Sequence, residues 1–136
     1  MPPTSVLLVE DDAVQRERMR GWLEGPQWAI REAGNGREAL DRLQQGKPDV
    51  ILLDLMMPEM DGFAVVAALQ KKADWRDIPV IVITARDLDA KDRERLNAGV
   101  QFVLVKETFQ PTALVDRIRR LVHSKPPILT EMEAAS

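Results

Sequence analysis

The chain has 136 residues, of which 45% are hydrophobic and 30% charged, enough apolar material for one core and too little length for several domains. Net charge is −3, from 19 basic and 22 acidic side chains, so neither nucleic acid nor a membrane surface is expected as a direct partner. There is no cysteine and one histidine, His123, which excludes disulfides, thiolate chemistry and Cys- or His-rich metal sites. No apolar stretch approaches the roughly 20 residues that cross a bilayer. Met1-Pro2-Pro3-Thr4-Ser5 lacks the basic region and apolar core of a signal peptide. A soluble, cytoplasmic protein is the expectation.

Residues 6–9 are a short β-branched-rich run, read as a first strand, and three acids follow it, Glu10-Asp11-Asp12. Over residues 13–23, Val14, Met19, Trp22 and Leu23 fit one face of a first helix, which Gly25-Pro26 stops. Residues 28–33 are a weaker strand candidate, and Gly34-Asn35-Gly36 is a turn. Residues 37–45 read as a second helix with Ala39, Leu40 and Leu43 on one face, ended by Gly46 and Pro48.

Residues 50–53 form an uninterrupted apolar run, the mark of a strand buried on both faces, and Asp54 stands where it ends. Pro58 and Asp61-Gly62 mark a loop. A third helix over 63–72 places Phe63, Val66, Ala67, Leu69 and Gln70 at helical spacing, with Asp61 as N-cap. Residues 79–83 are a fourth apolar strand ending at Thr84-Ala85. A charged fourth helix over 89–97 closes at Asn97-Ala98-Gly99. Residues 102–105 give a fifth strand ending at Lys106, and residues 110–123 a fifth helix with Leu114, Ile118, Leu121 and Val122 on one side. Lys125-Pro126-Pro127 then breaks the pattern. Residues 1–124 are expected to be one domain, and 125–136 a flexible C-terminal tail or linker remnant.

Strict alternation of strand and helix predicts an α/β fold, a parallel sheet with helices on both faces. In such a sheet the C-terminal strand ends share one edge, where open α/β sheets place their sites. Here that edge would gather Glu10 and Asp11, Asp54, Thr84 and Lys106. Three carboxylates so close repel one another unless a cation sits among them. With oxygen ligands only, that cation is a hard one, Mg²⁺ or Mn²⁺. Lys106 adds a positive charge and Thr84 a hydroxyl donor, both suited to a phosphoryl group, with Asp54 as the carboxylate nucleophile.

The motifs Leu7-Leu8-Val9-Glu10-Asp11-Asp12, Asp54-Leu55-Met56-Met57-Pro58-Glu59-Met60-Asp61-Gly62, Pro79-Val80-Ile81-Val82-Ile83-Thr84-Ala85, Asn97-Ala98-Gly99 and Lys106 together resemble the receiver domain of a two-component response regulator, over about residues 5–123. The spacings agree, with Thr84 30 residues and Lys106 52 residues beyond Asp54. The resemblance implies a doubly wound, flavodoxin-like five-stranded sheet in the order 2-1-3-4-5. It implies that Asp54 is the phospho-acceptor, that Glu10 and Asp11 hold Mg²⁺ with Asp11 the direct ligand, and that the Met56 carbonyl completes the metal's protein ligands. Thr84 would be the switch hydroxyl, Ala85 would keep its loop small, and Lys106 would pair first with Asp54 and then with phosphoryl oxygens. Asp12 is read as a helix-start residue. The implied partners are a sensor histidine kinase or histidine phosphotransfer protein, and a downstream protein met through the face of helix 4, strand 5 and helix 5. A monomer or weak dimer is expected.

Two positions depart from the family pattern. The family usually has proline, often after a cis peptide, where this chain has Glu107. Its switch aromatic lies three residues before the lysine, where this chain has Val103, and Phe102 lies on the opposite strand face. These departures support an alternative, a phosphate-independent pseudo-receiver docking module. A Mg²⁺-dependent aspartyl-phosphate phosphohydrolase is a further alternative, but no insertion is long enough for a substrate-covering cap. The expectation is therefore a signalling switch and not an enzyme. Met56, Met57 and Met60 are read as loop and packing residues, since thioethers prefer soft metals. Trp22, Trp28 and Trp75 are read as packing. The charged run 87–95 and Arg117, Arg119 and Arg120 are read first as solvated helix faces, and His123 as exposed near a helix C-terminus.

Overall fold

The computed structural model describes residues 3–23, 25–55, 57, 60–84, 88–96, 100, 102–105 and 110–123, the side chains of Phe102 and His123 excepted. Ten elements alternate: β1 (Thr4–Val9), α1 (Ala13–Gly21), β2 (Trp28–Ala33), α2 (Gly36–Gln45), β3 (Val50–Asp54), α3 (Gly62–Lys71), β4 (Val80–Thr84), α4 (Ala90–Leu96), β5 (Phe102–Val105) and α5 (Pro111–His123). The five strands pair in parallel in the order β2-β1-β3-β4-β5, as expected.

Strand parity divides the core into two layers. Leu7, Val9, Ile51, Leu53, Val80 and Val82 face α2, α3 and α4 through Ala39, Leu43, Val65, Val66, Leu69 and Leu96. Val6, Leu8, Val50, Leu52, Ile81 and Ile83 face α1 and α5 through Met19, Leu114 and Ile118. All of β3 and β4 is buried, because both faces are covered. Trp75 is buried in the first layer, and Trp22 and Trp28 lie half-buried against the second.

Local capping chemistry sets most helix starts. Asp12 caps α1 by accepting from the amides of Val14 (2.8 Å) and Gln15 (3.2 Å). Asn35 accepts from the Glu38 amide at 2.8 Å while Glu38 Oε1 accepts from the Gly34 amide at 2.7 Å, so α2 begins at Gly36, one residue before the expected start. Asp61 caps α3 through the Ala64 amide at 3.0 Å.

Two expected core positions are not core. Val14 is 74% exposed. It lies five residues before the buried Met19, which is about 140° around the helix, so the two cannot share a stripe. Ala67 is exposed for the same reason, since the buried stripe of α3 runs through Gly62, Val65, Val66 and Leu69. The sequence expectations for Met56, Ala85, Asn97, Lys106, Glu107 and residues 125–136 lie outside the described residues.

Candidate functional site

β1, β3 and β4 are neighbours, and their C-terminal ends meet on one edge. Val9 pairs with Leu53 and Asp54 with Ile83, which puts Glu10 one place past the β1–β3 register and Thr84 one place past Asp54. Glu10 and Asp54 keep the parity of Leu8 and Leu52, so both start from the α1/α5 side of the sheet. Thr84 keeps the parity of Val82, the side of α2, α3 and α4.

Glu10, Asp11 and Asp54 each offer a carboxylate oxygen within 4.8 Å of the others. Glu10 is 2% and Asp54 3% exposed, whereas Asp11 is open to solvent. The cluster therefore has two walls set into the protein and one at its mouth. Its donors are all hard oxygens, which fit Mg²⁺ and do not fit a soft metal. Thr84 is fully buried at the end of β4. On β5, Val105 pairs with Thr84 and is the residue before Lys106 in sequence. The structure thus brings together three of the expected site residues and puts Thr84 beside them in the register. Lys106 and Met56 lie outside the described residues.

The backbone around these acids is fixed by specific contacts. The Glu10 amide donates to the Ala33 carbonyl at 3.1 Å, and Glu10 Oε2 accepts from the Asp12 amide at 3.2 Å. After Asp54 the chain turns back inward, burying Leu55 and Met57, and the Gly62 amide donates to the Leu55 carbonyl at 3.0 Å. A Cβ on Gly62 would come within 2.7 Å of Leu55 Cα and 2.8 Å of the Asp54 carbonyl oxygen. Only glycine allows α3 to start this close to the acceptor strand. Asp12 turns its side chain to the helix amides, which confirms its reading as a cap.

Sequence reasoning passed over Arg16. Its Nη1 donates to the Glu10 carbonyl at 2.8 Å, and its Nε donates to Glu32 Oε1 at 2.9 Å. The one available signal was a basic residue a helical turn after the acids, which is too common to single out.

Residues 6–119 match the family model of the response regulator receiver domain. Among curated proteins, the response regulator MprA of Mycolicibacterium vanbaalenii is 37% identical over 125 residues, 92% of this chain and 53% of that protein. The chain thus spans about half the length of the curated relatives it matches. Among solved structures, the signal receiver domain of a signal transduction histidine kinase from Syntrophus aciditrophicus aligns with a TM-score of 0.80 and 34% identity, covering 91% of this chain and 93% of that one. The receiver domain of a sensor histidine kinase from Pseudomonas aeruginosa aligns with a TM-score of 0.79 and 27% identity, covering 89% and 98%. That structure has a magnesium ion coordinated in its active-site cleft. Among the described residues no helix of this chain is long and apolar enough to cross a membrane. The chain belongs to the response regulator receiver domain family of two-component signalling.

Proposed function

We propose that this receiver is a phosphorylation-dependent switch in which Asp54 accepts a phosphoryl group from a sensor histidine kinase or histidine phosphotransfer protein. The observation that carries this reading is the meeting of Glu10, Asp11 and Asp54 within 4.8 Å at one sheet edge, with Asp54 almost wholly buried. Burying two carboxylates, Glu10 and Asp54, beside a third is costly without a cation and an anion-transfer role to justify it.

In the proposed reaction a carboxylate oxygen of Asp54 attacks phosphorus. The bond from phosphorus to the donor's imidazole nitrogen breaks, and the imidazole leaves with the electron pair. Glu10, Asp11, Asp54 and the Met56 carbonyl are the residues that would hold Mg²⁺, which when bound neutralises charge on the phosphoryl oxygens. The Thr84 hydroxyl donates to a phosphoryl oxygen, and the Lys106 ammonium pairs with another. Drawing Thr84 toward the adduct biases the segment after β4 and the α4–β5–α5 face toward a second arrangement, which a downstream protein reads. Val103 packs partly buried against the same layer as Leu96 of α4, and Arg95 of α4 stacks on Phe63 of α3 with 3.9 Å to the ring centroid. These contacts are the routes by which that layer can respond without an aromatic at position 103.

The same reading makes residues 1–124 the functional receiver and 125–136 a tail or linker, in a cytoplasmic protein acting as a monomer or weak dimer. Incubation with Mg²⁺ and acetyl phosphate, followed by intact-mass measurement, tests it. One phosphoryl adduct is expected on the parent and none on Asp54→Ala; an undiminished adduct on the variant contradicts the reading.

A further inference from the structure

Behind the acidic cluster lies a connected lattice of charged side chains on three elements. Arg16 of α1 donates from Nη1 to the Glu10 carbonyl (2.8 Å) and from Nε to Glu32 Oε1 on β2 (2.9 Å). The other Glu32 oxygen accepts from Arg20 Nη1 at 2.5 Å, and the Glu32 carbonyl accepts from Arg42 Nε on α2 at 3.0 Å. Arg16 is three-quarters buried by these contacts, with 23% of its side chain exposed. The carbonyl it grips belongs to the peptide that joins Glu10 to Asp11. On its other sides the same dipeptide is held by the Glu10 amide on the Ala33 carbonyl and by Glu10 Oε2 under the Asp12 amide. Arg16 is therefore a side chain from a helix that ties this dipeptide to the neighbouring strand β2.

Two effects of Arg16 on a cation at the cluster have opposite signs. As a bare charge, a guanidinium near three carboxylates competes with a metal ion and weakens its binding. As a tether, it holds Glu10 and Asp11 in one geometry and strengthens binding by removing the cost of ordering them. The charge effect is reduced here, because Glu32 lies against the guanidinium at 2.9 Å and offsets part of its charge, although Arg20 shares the same carboxylate. The tether is a directional, charge-assisted hydrogen bond and is not offset in this way. It also needs arginine, because two N–H groups on one rigid plane point to two acceptors, which a lysine ammonium does not reproduce.

We infer that Arg16 is a positioning residue that sets the receiver's Mg²⁺ affinity by fixing the Glu10–Asp11 peptide. The inference rests on the metal-site reading above. Calorimetric titration of Mg²⁺ into the parent, Arg16→Gln and Arg16→Lys at one ionic strength tests it, with melting temperatures measured in chelator as a control on folding. Arg16→Gln should bind Mg²⁺ roughly tenfold more weakly, at the lower end of what outer-shell partners cost, although it removes a competing positive charge. Arg16→Lys keeps the charge and should also bind more weakly than the parent, and it supplies the test should Arg16→Gln fail to fold. Affinity unchanged or increased in Arg16→Gln, or restored to the parent value in Arg16→Lys, overturns the inference while leaving the metal site standing. No Mg²⁺ binding by the parent overturns the metal reading and this inference together.

Discussion

Gly62 sits so close to Asp54 that a methyl group on its α-carbon would meet the Asp54 carbonyl oxygen at 2.8 Å. Two of the atoms in the way, the Asp54 carbonyl oxygen and Leu55 Cα, are backbone and cannot rotate aside; the third is Leu55 Cδ2. Gly62→Ala must therefore push α3 away from the end of β3 or shift the strand end itself. The expected cost is about 1–3 kcal/mol of stability, typical of overpacking. Urea unfolding measures that loss. The rate of adduct formation from acetyl phosphate should fall further than the stability loss alone accounts for, because the clash falls on the strand end that carries Asp54.

Asp11 and Asp12 are adjacent acids with different work. Asp12 spends its carboxylate on the Val14 and Gln15 amides, whereas Asp11 joins the cluster. Asp12→Ala should cost about 1 kcal/mol of stability through the lost cap. It should leave Mg²⁺ affinity close to the parent's, because the Asp12 amide that Glu10 accepts from is retained. Asp11→Asn should do the reverse, with little change in unfolding and a large loss of Mg²⁺ binding by calorimetry.

The apolar residues of α1 and α5 are not equivalent. Val14 is 74% exposed and Ile118 is fully buried. Ile118→Ala should lose about 2–5 kcal/mol through the cavity it opens between sheet and helix. Val14→Gln should stay within about 0.5 kcal/mol of the parent. Chemical unfolding of both variants checks the assignment of faces.

Thr84→Val keeps the shape of the side chain at the end of β4 and removes its hydroxyl. Asp54 should still take up a phosphoryl group. The response of the β4 and α4 amides to beryllofluoride, followed by NMR shift changes, should shrink to a small fraction of the parent's. A full response in Thr84→Val would assign the switch to another group.

Much of this was legible because parallel strands covered on both faces must be apolar at every position. That is why β3 and β4 stand out in sequence and why Asp54 and Thr84, at their ends, could be singled out. Helix faces were less legible. The apolar residues of α1 are too few to define a stripe, so Val14 was assigned to the core although geometry puts it about 140° from Met19. Ala67, small and neutral in its preferences, misled in the same way. The Arg16 tether was not legible at all. Its acceptors are a backbone carbonyl 6 residues away and a carboxylate 16 residues away on another strand, and only the fold makes them neighbours.

The most direct measurement is the position of the phosphoryl group. The parent, incubated with Mg²⁺ and acetyl phosphate, is stabilised by borohydride reduction of the acyl phosphate and digested, and the fragments are weighed. The account predicts the reduced residue at Asp54 alone, and none when Mg²⁺ is chelated beforehand. Reduction at another aspartate with Asp54 intact, or the same yield at Asp54 in chelator, would contradict it.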